Sequence, residues 1–165
     1  MRLINGRGQL GEALSKYIDD SDWFVYHTWD IVNLENVELQ QKEFDKFKEF
    51  IDKNKDEKIC FISSSYVKDT PYMYNKIKAE SYIINNVKDW KIIRPPHYIG
   101  KGIFQAFKNG EMAWDNSLVD VMSMDDVCKE IIKCLHDDSK FTYIVGEMVS
   151  KTMLCSLIQY GAKND

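Results

Sequence analysis

The chain is poor in arginine, proline and paired cysteine, and each shortage narrows what it is. Arg2, Arg7 and Arg94 are its only arginines in 165 residues, against 19 lysines. Acidic residues outnumber basic ones, for a net charge of −4 and a pI near 5.4. Nucleic-acid binders normally present a basic face, so this balance argues against that class. No segment has the length or purity of a membrane span. The N-terminus runs into a strand-like segment with no signal-peptide core. Cys60, Cys128, Cys134 and Cys155 form no C-x-x-C pair, and three of them lie in apolar or helical runs. They read as reduced packing residues of a cytoplasmic protein. His27, His97 and His136 lack metal-ligand spacing. With three prolines, no repeat and no low-complexity tract, residues 1–165 read as one domain large enough to bury a core.

Two motifs stand out against this background. Gly6-Arg7-Gly8-Gln9-Leu10-Gly11 follows the apolar Leu3-Ile4 and opens a helical pattern through Leu14 and Tyr17. Strand, glycine turn and helix is the context in which G-x-G-x-x-G binds a dinucleotide. The first glycines let the backbone approach a pyrophosphate, and the third lets helix and strand pack closely. The second motif is Pro71-Tyr72 through Glu80. Tyr72 and Lys76 are four apart and share a helix face. A neighbouring ammonium favours the phenolate, which makes Tyr72 a candidate general acid/base.

Strands are expected at 2–5, 23–27, 59–63, 90–93, 118–122 and 141–145. Helices are expected at 9–19, 33–54, 72–86, 103–109, after Ser123 through Leu135, and from Ser150 to Tyr160, with a turn at Asn109-Gly110. Alternation of this kind implies βαβ units and a parallel sheet flanked by helices, a Rossmann-like α/β fold of reduced size.

In order along the chain, these segments resemble the extended short-chain dehydrogenase/reductase family, above all its epimerases, dehydratases and dTDP-4-dehydrorhamnose reductases. Gly8-Gln9-Leu10-Gly11 is similar to the family's glycine loop, and Trp29 to Val37 to its Leu-Asp-Ile-Thr-Asp segment. Ile62-Ser63-Ser64-Ser65-Tyr66-Val67 resembles the strand that ends in the catalytic Ser or Thr. Pro71 to Glu80 resembles Pro-Tyr-x-x-x-Lys-x-x-x-Glu, and Arg94-Pro95-Pro96-His97 to Gly100 the Arg-Pro-x-x-x-x-Gly turn.

The resemblance implies hydride chemistry on a sugar or sugar nucleotide with NADP or NAD. Tyr72 would be the acid/base, Lys76 its partner and a ribose ligand, and Ser64 or Ser65 the hydroxyl that steadies the reacting oxygen. Gly6, Arg7, Gly8, Gln9, Leu10, Gly11, His27, Asp30, Ser63, Lys76, Pro95 and His97 would line the cofactor. The end of the second strand carries His27 and Thr28 where an acid would bond a ribose 2′-hydroxyl. Together with Arg7, which would pair a 2′-phosphate, this favours NADP.

Three departures accompany the resemblance. The chain is about half the family's length, only six residues separate Ser65 from Tyr72, and residues 100–165, the reduced substrate side, contain no arginine. They leave room for a non-catalytic, dinucleotide-binding regulatory module. The small open sheet implies a homodimer.

Overall fold

The computed structural model of the chain describes residues 1–4, 8–17, 19–65, 68–99, 116–154 and 156. Gly6, Arg7, the expected 103–109 helix, the Asn109-Gly110 turn and Cys155 lie outside these residues. In chain order the elements are β1 (Arg2–Ile4), α1 (Gln9–Leu14), β2 (Phe24–Tyr26), α2 (Val37–Asn54), β3 (Ile59–Ile62), α3 (Pro71–Asn86) and β4 (Trp90–Arg94). There follow β5 (His97–Ile99), β6 (Leu118–Ser123), α4 (Met124–His136), β7 (Phe141–Tyr143) and β8 (Glu147–Ser150).

Five strands form an all-parallel sheet in the order β1-β2-β3-β4-β7. Alternation along each strand divides its apolar residues between two faces. Tyr26, Ile59, Phe61 and Ile92 pack with Phe44, Phe47 and Ile51 of α2 and with Tyr72, Met73, Ala79 and Ile83 of α3. Val25, Cys60, Ile62 and Ile93 pack with Leu10 and Leu14 of α1 and with Val127, Ile131 and Leu135 of α4. The steps from β1 to β2 and from β2 to β3 run the same way across the sheet, yet α1 and α2 cover opposite faces. The two crossovers therefore have opposite hands, so one is of the rare left-handed kind.

Local chemistry sets the element ends. Asn36 caps α2, its Oδ1 accepting from Leu39 N at 3.0 Å, so the helix begins at Val37 and not at Asn33. In α1, Lys16 N and Tyr17 N bond three residues back, to Ala13 O and Leu14 O, and the helix stops well short of residue 19. Thr70 caps α3 and Pro71 occupies its first turn, where a missing N–H costs nothing.

A second sheet, β5-β6-β8, pairs β5 with β6 in parallel and β6 with β8 antiparallel. The sequence reading contained neither β5 nor β8. Pro95-Pro96 reads as a stop, but the chain resumes as a strand one residue later. Ser150 was expected only as a helix cap; it ends β8 and also accepts from Met153 N at 3.1 Å. Gly146 makes the turn into β8. Its N donates to Asp120 Oδ1 at 2.7 Å, and a Cβ there would collide with the Val121 carbonyl. Cys60, Cys128 and Cys134 are free and buried, and burial pushes their thiols up.

Candidate active site

The C-terminal ends of β1, β2 and β3 and the first turns of α3 carry most of the residues singled out from the sequence. Gly8, at φ +85°, stands at the start of α1 in a conformation that favours glycine. Gln9, Leu10 and Gly11 form the first turn after it. Leu10 and Gly11 are buried, and Leu10 belongs to the core.

On α3, Tyr72 and Lys76 lie on one buried face, at 7% and 2% exposure. The Lys76 ammonium is enclosed. Its Nζ donates to Ile62 O at 3.0 Å and lies 4.7 Å from the ring centroids of Trp29 and Phe61 and 5.8 Å from that of Tyr72. Burial lowers its pKa to about 7, against the charges of Glu80 and Glu43, which favour the ammonium. The lysine is thus beside the tyrosine, as the spacing predicts, but its polar end meets a carbonyl and aromatic faces.

Ser63 and His27 each bring an unpartnered polar atom to these strand ends. Ser63 is 6% exposed, and its Oγ has no hydrogen-bond partner among the described residues. The β2–β3 register, continued by one residue, sets His27 level with Ile62. His27 Nε2 is likewise buried without a partner among the described residues. Burial lowers the His27 pKa, the Lys76 charge adds to this, and a bond to its own backbone opposes it. The neutral ring therefore offers Nε2 as an acceptor. Of the two candidate hydroxyls, Ser65 Oγ donates to Pro95 O at 2.8 Å. Ser64 is half-buried beside it. Pro95 is buried, and His97 opens β5 level with Val121.

Asp30 is committed locally. Its Oδ1 accepts from Val32 N at 2.8 Å and Asn33 N at 2.9 Å, and its Oδ2 from Asn33 Nδ2 at 2.9 Å. Burial raises its pKa, but the bonds from Asn33 and Val32 outweigh this and hold it below the usual value.

The sheet order corrects one expectation about His27 and Thr28. In the dinucleotide fold with strand order 3-2-1-4-5-6, the strand that reads the adenosine ribose flanks β1 on the side away from the following strands. Here β2 lies between β1 and β3, and the outer rim of β1 has no partner among the described residues. The lack of an acid at the end of β2 therefore says nothing about a 2′-phosphate.

Two residues here escaped the sequence reading, Trp29 as a wall of the lysine enclosure and Gln40 as its support. Gln40 shares the buried stripe of α2 with Phe44, Phe47 and Ile51. A polar residue in an apolar stripe was the signal available. A third contact joins two matched motifs. Arg94 Nε and Nη2 donate to Glu80 Oε1 and Oε2 at 2.8 and 2.5 Å, fastening α3 to β4.

The architecture is a Rossmann-like α/β fold of reduced size, a parallel sheet flanked by helices. Among solved structures, dTDP-4-dehydrorhamnose reductase from Bacillus anthracis, in complex with NADP, superposes with a TM-score of 0.76 at 12% identity, over 99% of this chain and 82% of that one. The Bordetella bronchiseptica enzyme WbmH, in complex with NAD+, gives 0.64 at 11% identity, over 86% and 58%. dTDP-glucose 4,6-dehydratase from B. anthracis, in complex with NAD, gives 0.59 at 13% identity, over 84% and 56%. The chain thus spans little more than half the length of the last two. No protein-family model and no curated protein matches the sequence. At these identities the likeness is one of fold.

Proposed function

We propose that the chain binds NADP or NAD across the C-terminal ends of β1 to β3 and acts as a reductase or epimerase of the short-chain dehydrogenase type on a sugar or sugar nucleotide. The observation that carries this reading is a pair of buried polar atoms without a partner among the described residues, Ser63 Oγ and His27 Nε2, at the C-terminal ends of β3 and β2, with Gly8 at positive φ opening α1. Those two atoms suit a polar ligand rich in hydroxyl groups. Gly8, Gln9 and Gly11, with Gly6 and Arg7 before them, would lie along the pyrophosphate. His27, Asp30, Ser63, Pro95 and His97 would line the remainder. The bound nicotinamide supplies hydride transfer.

In this reading Tyr72 moves a proton to or from the substrate oxygen. Ser64 or Ser65, at the end of β3, would steady that oxygen. Lys76 favours the phenolate electrostatically. Its bond to Ile62 O must give way if the ammonium is also to reach a ribose hydroxyl. Residues 100–165 belong to the same single domain and form its reduced substrate side, and the protein works as a cytoplasmic homodimer. Among the described residues no helix is long and apolar enough to cross a membrane.

A second reading, a dinucleotide-binding regulatory module without turnover, is favoured by the enclosure of Lys76. Titration with NADPH and NADH, then assay against a panel of nucleotide sugars, separates the two. Saturable binding with oxidation of NADPH by one sugar nucleotide supports the enzyme. Binding with no turnover supports the module, and absence of binding to either dinucleotide overturns both.

A further inference from the structure

The enclosure of Lys76 is organised from another helix. Gln40 is fully buried, and its side chain makes three hydrogen bonds. Oε1 accepts from Trp29 Nε1 at 2.8 Å, while Nε2 donates to Asp30 O at 3.0 Å and Asn33 O at 3.1 Å. One amide thereby ties the segment leaving β2 to the first turns of α2 and fixes the tilt of the Trp29 indole. That indole packs on Phe47 and Phe61, with ring centroids 6.2 and 6.0 Å away. It forms one wall of the space around Lys76 Nζ, Phe61 a second, and Ile62 O accepts a hydrogen bond from the ammonium.

We propose that Gln40 and Trp29 are positioning residues for Lys76: through the indole wall they fix where its ammonium lies and keep water from it. The charged and titratable groups facing Lys76 are Glu80 and the Tyr72 phenol on its own helix, Glu43 on α2 and His27 after β2. The two glutamates favour the ammonium, and His27 opposes it when protonated. The indole face attracts the cation, while burial, of which the indole supplies one wall, disfavours the ammonium and is the largest influence on it. The inference concerns the Tyr72–Lys76 pair on which the proposed activity rests, but its test requires neither cofactor nor turnover.

The test follows the side-chain methylene resonances of Lys76 in 13C-lysine-labelled protein from about pH 5.5 to about pH 11, with Lys76→Met providing the assignment. In the wild type the midpoint falls well below that of an ordinary lysine. Trp29→Leu and Gln40→Met each raise it by about one pH unit or more, a roughly tenfold gain in proton affinity. Trp29→Phe keeps a ring but lacks the N–H that Gln40 holds; it also raises the midpoint and serves should Trp29→Leu fail to fold. Ile77→Ala, on the exposed face of α3, leaves it in place. An ordinary wild-type midpoint overturns the inference, and so does an unmoved midpoint in folded Trp29 and Gln40 variants. If the midpoints move as expected but NADPH does not bind, the proposed activity fails and this inference stands.

Discussion

The Lys76 ammonium lies 4.7 Å from the centre of the Trp29 ring, at a site 2% exposed to solvent. A charge so placed works against folding. The folded protein holds the Lys76 proton with a pKa lowered to about 7, whereas the unfolded chain keeps the ordinary 10.5. Below about pH 7 both states carry the proton, and the cost of burying the charge is fully present. Between about pH 7 and 10.5 the unfolded chain binds more protons, so wild-type stability rises with pH. Lys76→Met should abolish that rise and add on the order of a few kcal/mol near pH 6. Urea denaturation at a series of pH values measures both, and a wild-type stability that is flat or falls across this window contradicts the assignment.

Tyr72→Phe removes one oxygen from the candidate acid/base and keeps the ring in the core. If the proposed activity holds, turnover is expected to be lost, with NADPH affinity within about three-fold of wild type. Single-turnover and binding measurements on the same preparation check this. Full turnover in the variant removes Tyr72 from the chemistry.

Glu80 and Arg94 form a two-point pair joining α3 to β4, with side chains 8% and 19% exposed. Glu80→Gln leaves the guanidinium without its counter-charge and should cost about 2–4 kcal/mol, because breaking one side of a largely buried pair exceeds the worth of the intact pair. Removing both partners, as Glu80→Gln with Arg94→Met, should recover part of that loss. Equilibrium unfolding of the two variants decides it, and additive losses would contradict the pairing.

Gly146→Ala puts a methyl group against the Val121 carbonyl, a backbone atom that cannot rotate away. A loss of about 1–3 kcal/mol is expected. It should be accompanied by faster amide exchange along the β6–β8 pairing than in β3, and thermal unfolding with hydrogen exchange reports both.

The sequence made much of the main sheet legible. Ile59 to Ile62 is an uninterrupted apolar run, as a strand buried on both faces requires, and Phe44, Phe47 and Ile51 mark the inner side of α2 by their spacing. The second sheet was not legible, because β5 and β8 are only three and four residues long and their partners are distant in sequence. At the site, the spacing put Tyr72 beside Lys76, since a helix fixes i and i+4. It could not show which way the lysine end turns, because that depends on Trp29, 47 residues earlier, and on the Gln40 side chain behind it. The order of strands was equally hidden. A glycine turn and a helix after β1 are compatible with β2 on either side of it, and only the packing of α1 against α4 shows that these two helices share a face.

The outer rim of β1 has its own consequence. Three residues paired along one edge are held by few bonds, so Arg2–Ile4 should be among the first segments of the sheet to detach in native-state fluctuations. A molecule seated at the end of this strand would bind only while it is docked, and its free energy would be spent on keeping that margin closed. Slower deuterium uptake at Leu3 and Ile4 on saturation with NADPH would then report binding at the end of this strand, even in a variant that performs no chemistry.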